Sequence, residues 1–385
     1  MRIALCADGR SPHGQRWANG LVDRGHDIAF VWMRDELAAA DLSSFRASIS
    51  HHSYLAPTPA RPWMVPLSHL APRRLARLLR PDLVHGLYLS GHGWTAHAFG
   101  VKPLVLSALG SDVLDLNWGS SGSFVRRAGR AYGVWRTRRA VAAANAVFAD
   151  STALATAVRE RVPGTETHIV RFGVERVHVS PSAREGWRRR LGITDDAFVL
   201  LSSRLVRPSY NIDTIVRALP AILRELPQCV LILKELPQFS DPGYLRYCIE
   251  LAADLGVAHA VKQIAELDRG ELLELYAAAD VYVSVPEADG TAVSVFEAMA
   301  AGVAVVASDA PGIDPEIMRP EETVLLVPAR DADALATAVV SLAVDADRRR
   351  GLIERGREIV GLHGNFDREL DRAVQLYEKL VASRA

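Results

Sequence analysis

Short apolar runs, separated by polar loops and amphipathic stretches, set the rhythm of the chain. RIALCA (2–7) is apolar enough for a buried strand; the polar loop DGRSPHG follows from Asp8 to Gly14, then a helical stretch to Arg24. Gly25 closes that helix and HDIAFVW is the next strand. The pattern recurs at PDLVHG (81–86), KPLVLSALG (102–110) and ANAVFADS (144–151), each a short apolar strand ending in Gly, His, Asp or Ser. Strands alternating with helices predict a parallel sheet covered on both faces. Ligands of such sheets sit beyond the strand C-ends, where these polar loops fall.

HVSPSAREG (178–186) reads as a linker, and the rhythm then restarts. AFVLLSSRL (197–205), a helix over 211–226, CVLILK (229–234), a helix over 243–255, ADVYVSV (279–285) and GVAVVASD (302–309) predict a second open α/β domain. The tail from Gly364, NFDRELDRAVQLYEKL, carries apolar and aromatic residues at helical spacing. There is no repeat of solenoid period and no low-complexity tract.

Composition agrees. A chain of 385 residues, 49% hydrophobic and 23% charged, is long enough for two domains and excludes disorder and collagen. No run of about 18 uncharged apolar residues occurs, so no membrane span is expected. Met1 leads straight into a strand without a secretory h-region. Cys6, Cys229 and Cys248 are too scattered for a disulfide framework or a zinc cluster. These features predict a cytoplasmic protein. The formal net charge of zero hides a division: residues 1–180 hold 22 Lys and Arg against 13 Asp and Glu, and the remainder 23 against 32. Ten of the twelve histidines also lie in the first half. Two domains with different surroundings are implied.

The stretch richest in chemistry is ADGTAVSVFEAMAAGVAVVASDAPGIDPEI (288–317). Asp289-Gly290-Thr291 opens a helix that stops at Gly302, and a helix N-terminus behind a glycine offers free N–H groups and a positive dipole end to an anion. In a continuous helix Asp289 and Glu297 would stand roughly 12 Å apart. Two carboxylates so placed suit the hydroxyl-bearing ends of one ligand, with the amides between them on a diphosphate. An N-cap Asp and a solvated Glu on an ordinary helix is the alternative.

The segment resembles the carboxylate–x7–carboxylate motif of glycosyltransferase family 4, the retaining sugar transferases of GT-B fold. The resemblance extends through SSRLVRPSYNIDTIVRAL (202–219), ELLELYAAADVYVSV (271–285), the turn RFGVE (171–175), GSDV (110–113), NAVFADS (145–151) and the opening loop SPHGQRW (11–17), in the family's order over nearly the whole chain. It implies two Rossmann-like, doubly wound domains facing a central cleft. Residues 1–178 would bind acceptor and 190–363 the nucleotide-sugar donor, with a C-terminal helix (364–385) crossing back to the first domain. It implies transfer of a sugar from a nucleotide-diphosphate sugar to an acceptor hydroxyl with retained anomeric configuration.

By the same resemblance Glu297 accepts from the ribose hydroxyls and Asp289 holds donor-sugar hydroxyls. Gly290 and the N–H groups around Thr291, Ala292 and Val293 face the diphosphate or sugar. Arg204 stabilises the leaving diphosphate, making Arg204 and Asp289 the catalytic candidates. Gly14 would let backbone approach a phosphate of the donor. His13, His85, His92, Ser111 and Asp112 are the acceptor-side candidates, each with a structural alternative: a histidine at a strand end bonding backbone, or an Asp capping a turn.

The chain departs from the family pattern at four places. Tyr210 stands where a Lys is usual, six residues after Arg204, leaving Arg207 or Lys234 as a substitute second cation. LKELP (233–237) replaces Gly-x-Gly-Pro, Asp289 replaces the commoner Glu, and Leu109 replaces a His before GSDV.

FVRRAGRAYGVWRTRR (124–139) has six Arg, three aromatics and no acid. It suits an anionic membrane surface or an anionic, lipid-linked acceptor, with attachment at the inner membrane face; a solvated basic helix is the plain alternative. Nucleic acid is not expected, for no nucleic-acid module is recognised. No GxGxxG follows the first strand, no P-loop occurs, and the two Asp-x-Asp triplets (Asp331–Asp333 and Asp345–Asp347) read as helix caps. No metal and no cofactor beyond the donor itself are expected. A nucleotide-sugar epimerase of similar fold, and a catalytically silent nucleotide-sugar or membrane-surface binding protein, remain as alternatives.

Overall fold

The computed structural model describes residues 1–38, 40–56, 68–114, 124–175, 179–237, 239–265, 267–290 and 292–383, without the side chains of Ser111 and 124–130. The chain divides into two compact units, Met1–Phe172 with Phe366–Ala385, and Gly173–Asn365.

The first unit holds a seven-stranded parallel sheet. Its strands are β1 (Arg2–Cys6), β2 (Asp27–Met33), β3 (Ser50–Tyr54), β4 (Leu83–Leu87), β5 (Leu104–Ala108), β6 (Ala146–Ala149) and β7 (Thr167–Ile169), in the order β3-β2-β1-β4-β5-β6-β7. Both β4 and β5 are buried along their whole length, as strands covered on both faces must be. The order reverses between β1 and β4, so the loops after those two strands diverge at a topological switch point. The first of these loops feeds the helix Pro12–Asp23, whose inner face buries Trp17 and Leu21.

The second unit repeats the plan with six parallel strands: β8 (Phe198–Ser202), β9 (Cys229–Lys234), β10 (Val261–Ile264), β11 (Val281–Ser284), β12 (Ala304–Ser308) and β13 (Leu325–Val327). Their order is β10-β9-β8-β11-β12-β13, with the switch point between β8 and β11. Side-chain alternation builds two cores from one sheet. Leu200, Leu231 and Leu233 join the core that includes Val216 and Leu219; Val199, Leu201 and Ile232 join the opposite one, with Phe296 and Met299.

The C-terminal helix, Phe366–Ala382, packs on the Pro12–Asp23 helix within the first unit. Trp17 Nε1 donates to the Tyr377 hydroxyl at 3.2 Å, and Arg24 pairs with Asp371 at 2.6 Å. A Cβ on Gly20 would lie 2.4 Å from a Leu370 methyl, so the helices meet as closely as a glycine allows. The stretch read as a linker is partly helix: Ala183–Leu191 is helical and buries Trp187 in the second unit, while His178 lies outside the described residues. Its arginine-rich face hid this. Arg188 is fully buried, spending its guanidinium on Asp280 and four backbone carbonyls.

Candidate functional site

At the switch point of the second unit, the loops after β8 and β11 carry Arg204 and Asp289. Arg204 Nη2 donates to Asp289 Oδ2 at 2.5 Å, and its Nη1 donates to the Ser294 hydroxyl at 3.2 Å. The Tyr210 ring lies 4.4 Å beneath the guanidinium. The residue in the family's lysine position therefore supplies a π face, not a charge. Burial works against the charge on Arg204, yet Asp289 and the surrounding tyrosines hold it more firmly protonated than a free arginine. Burial raises the pKa of Asp289, opposed by Arg204 and the Gly290 N–H.

The loop is anchored from three sides. Glu287 N–H donates to the Ser209 carbonyl at 3.1 Å, Asp289 N–H to Pro311 at 3.2 Å, and Asn211 Nδ2 to Val285 at 2.9 Å. The helix it leads into is Val293–Ala301, with Ala292 at its N-cap and Gly302, at φ +80°, closing it. Asp289 and Gly290 therefore stand in the loop, not on the helix, and the 12 Å continuous-helix spacing does not apply. The first N–H groups of that helix have no intrahelical acceptor and face the loop end. Thr291 lies outside the described residues.

Glu297 is buried on this helix, and its carboxylate is already partly engaged. Oε1 accepts from Arg269 Nη1 at 3.0 Å and Oε2 from the Tyr276 hydroxyl at 3.0 Å. Arg269 also pairs with Glu175 at 3.5 Å. The Tyr276 and Tyr282 hydroxyls both meet Ser203 Oγ, at 2.9 and 3.1 Å. Two polar chains thus meet here, Asp289–Arg204–Ser294 and Tyr282–Ser203–Tyr276–Glu297. Both carboxylates keep lone pairs for a ligand's hydroxyls. Sequence reading missed Ser203, Arg269, Tyr276, Tyr282 and Ser294. The two tyrosines look like core residues in ELLELYAAADVYVSV, and only their hydroxyls say otherwise.

The first-unit candidates separate. His85 is a core residue on β4: its exposure is 0%, Nε2 meets Ser107 Oγ at 2.9 Å and Nδ1 meets the Tyr377 hydroxyl at 2.7 Å. Burial lowers its pKa to about 3, so it is neutral and has no edge to offer an acceptor; the acceptor-side expectation for it is corrected. Asp112 is also structural, accepting from the N–H groups of Leu89 and Leu109 at 2.8 and 2.9 Å, and burial raises its pKa to about 6. Backbone accounts for most of its lone pairs, which removes it from acceptor chemistry as well. His13 packs edge-on to Phe172 at 5.2 Å, and His92 opens the helix His92–Ala98 with Nε2 3.3 Å from Glu36. A Cβ on Gly14 would lie 2.8 Å from the Asp8 carbonyl, so close packing alone requires this glycine. The Ser111 side chain lies outside the described ones. Among the described residues no three His, Cys, Asp or Glu side chains converge as a metal site would need, and no helix is long and apolar enough to cross a membrane.

Two doubly wound parallel sheets in one chain, with an ion pair and a helix N-terminus at the second switch point and a terminal helix returned to the first unit, define the GT-B class of fold. Two glycosyltransferase family models match successive parts of the chain. Residues 183–359 match the family described as glycosyl transferases group 1, and residues 2–151 the one described as glycosyl transferase 4-like. A curated relative is the GDP-mannose-dependent alpha-(1-6)-phosphatidylinositol monomannoside mannosyltransferase of Mycobacterium tuberculosis, 32% identical over 57% of this chain and 55% of that protein. Another is the D-inositol 3-phosphate glycosyltransferase of Stackebrandtia nassauensis, 34% identical over 47% and 41%. The chain spans about half the length of these curated relatives. Sucrose-phosphate synthase from Thermosynechococcus elongatus shares the fold with a TM-score of 0.84, at 21% identity and full coverage of both chains.

Proposed function

We propose that the protein is a retaining glycosyltransferase that moves a sugar from a nucleoside-diphosphate sugar to an acceptor hydroxyl. The observation that carries this reading is the Arg204–Asp289 pair, set at a switch point beside the open N-terminus of the helix that bears Glu297. Glu297 accepts from the ribose hydroxyls, and Arg269 and Tyr276 fix its orientation. Asp289 accepts from hydroxyls of the donor sugar. As the glycosidic bond breaks, negative charge grows on the diphosphate, where Arg204 and the amides of Gly290, Ala292 and Val293 stabilise it. That charge is met by protein groups, so the reading calls for no resident metal or cofactor. Among the described residues of the site no side chain is placed as an evident nucleophile, which favours departure and attack on one face of the sugar. The relatives are transferases, and no observation favours an epimerase or a silent binder.

Arg204→Ala is expected to cut turnover by about 10²–10³-fold with little change in fold. Glu297→Ala is expected to weaken nucleotide binding. Both are read by donor consumption and by calorimetry with UDP, GDP, ADP and dTDP. Parent-like behaviour of both variants sinks the assignment, and loss of activity after EDTA treatment sinks its metal independence.

The acceptor is proposed to be a phosphate-bearing polyol presented at an anionic membrane. Both curated relatives carry inositol-based acceptors in their names. On the basic helix Phe124–Ala143, Trp135 is 49% exposed and stacks on Tyr132, with Arg138 and Arg139 exposed beside it. The helix Leu70–Leu79 adds exposed Arg73, Arg74, Arg77 and Leu78. Both helices pack on His92–Ala98, and Arg73, Lys102 and Arg139 surround His97, whose pKa is lowered by burial and by those charges. Cations with exposed Leu and Trp among them suit a lipid headgroup layer. Equal sedimentation with anionic and neutral liposomes would refute this docking surface.

A further inference from the structure

One edge of the first sheet is β7, and its pairing with β6 decides where its remaining backbone groups turn. The Val147 N–H donates to the Glu166 carbonyl at 2.8 Å, and the Val170 N–H to the Ala149 carbonyl at 3.0 Å. Backbone groups of successive strand residues alternate in direction, so those of Thr167 and Ile169 turn away from β6. On that side, within the same unit, a groove of about 550 Å³ lies between β7 and the C-terminal helix. Thr167, His168 and Ile169 line it from the strand, and Arg372, Leu376 and Lys379 from the helix. Their helical spacing puts these three on one face, beside the face of Phe366, Leu370, Ala373 and Tyr377 that is buried.

Arg372 Nη1 donates to the Ile169 carbonyl at 3.2 Å, the place that the N–H of an added strand would take. Its side chain is 55% exposed, and Glu369, 3.7 Å away, already accepts from the Arg171 N–H. So exposed a guanidinium leaves its carbonyl at small cost. Among the described lining residues there is no acid. Arg372 and Lys379 are exposed, and exposed Arg159 donates to Thr167 Oγ1 at 2.6 Å. Glu166, just before the strand, pairs with His168 at 3.0 Å. Ile169 and Leu376 supply apolar surface between the charges. A sheet edge with cations along it repels a basic chain and attracts an acidic one.

We infer that β7 and the C-terminal helix form a docking groove for an acidic, extended segment of a partner protein, which adds to the first sheet as a further strand. An N–H of the segment takes over the Ile169 carbonyl, and its carbonyls accept from the Thr167 and Ile169 N–H groups. Its carboxylates meet Arg372, once released, and Lys379. The three residues of β7 span about 10 Å, so the backbone bonds are few and the charge pairs carry the selectivity. The inference does not depend on the donor-site reading, for every residue it uses belongs to the first unit.

The test uses the full chain and two short labelled peptides, one alternating aspartate with valine and one alternating lysine with valine, read by fluorescence anisotropy. The parent should bind the aspartate peptide at least about tenfold more tightly than the lysine peptide, and less tightly as salt is raised. Thr167→Pro removes an outward N–H without touching the bonds to β6, and should lose at least about tenfold of that affinity. The double variant Arg372→Glu, Lys379→Glu should lose it too and turn the preference toward the lysine peptide. Thermal melting shows whether each variant folds; if Thr167→Pro does not, the charge-reversed variant decides. Equal binding of the two peptides, binding of neither, or parent-like behaviour of the folded variants would overturn the inference. So would a parent that binds neither peptide beside an Arg372→Ala variant that self-associates, the mark of an arginine that merely guards the edge.

Discussion

His85 lies within β4 and His92 opens the helix that follows it, yet both are imidazoles of one β–α unit: one is sealed in the core and the other faces Glu36, and the difference lies in what packs over them. Tyr377, arriving from far along the chain, closes over His85. Folding therefore excludes a proton that the unfolded chain would bind below its ordinary pKa of 6.5. The sign follows: with the folded pKa lowered, His85 contributes stability above pH 6.5 and loses it progressively as the pH falls toward 3. Asp112 acts oppositely between 3.8 and about 6, where the folded state binds the extra proton. Comparing the parent with His85→Phe isolates the histidine, since Asp112 is common to both. The parent should lose up to about 1.4 kcal/mol more per pH unit in that window, measured by urea unfolding at stepped pH. Identical slopes would show that His85 titrates normally.

At the scale of elements, nine of the strands coincide with the apolar runs described above, and the remaining four are the four sheet edges: β3, β7, β10 and β13. Edge strands are covered on fewer sides and need no long apolar run. SHHSY pairs with β2 through backbone bonds that any sequence can make. The Val293–Ala301 helix was legible at its C-terminal end, where Gly302 stops it, whereas its start falls at Ala292 and not at the Asp289-Gly290-Thr291 from which the sequence opened it. At φ +80° a Cβ on Gly302 is strained, and it would also collide with the Arg357 guanidinium. Gly302→Ala should cost at least about 1 kcal/mol. Thermal melting reads that loss, and because the helix carries Glu297, nucleotide affinity should fall with it. An unchanged melting temperature would mean the cap relaxes freely.

At the scale of the molecule, the last helix belongs to the first unit although 193 residues of the second lie between them in sequence. Phe366, Leu370, Ala373 and Tyr377 are all buried there, and Glu369 accepts from the Arg171 N–H at 2.9 Å. Burying each of the larger side chains is worth about 1.5–3 kcal/mol, so removing the helix forfeits a large part of a domain's usual stability. A chain ending at Asn365 should lose protection from protease across residues 1–172 while 173–365 stays resistant. Limited proteolysis with mass spectrometry would show it, and an intact first unit would contradict the packing described.

The sequence by itself determined two parallel-sheet units and the helix that Gly302 closes, because periodicity and glycine caps are properties of neighbouring residues; Arg204, Asp289 and Glu297 were singled out by resemblance to the family motif. Only the tertiary structure decided which of the polar residues are spent within the protein and which remain for a ligand. Strand order brings β8, β9 and β11 side by side from distant parts of the chain. That neighbourhood puts Tyr210 under Arg204 and ties Glu297 to Arg269 and Tyr276, since hydrogen-bond partners are set by distance in space rather than along the chain.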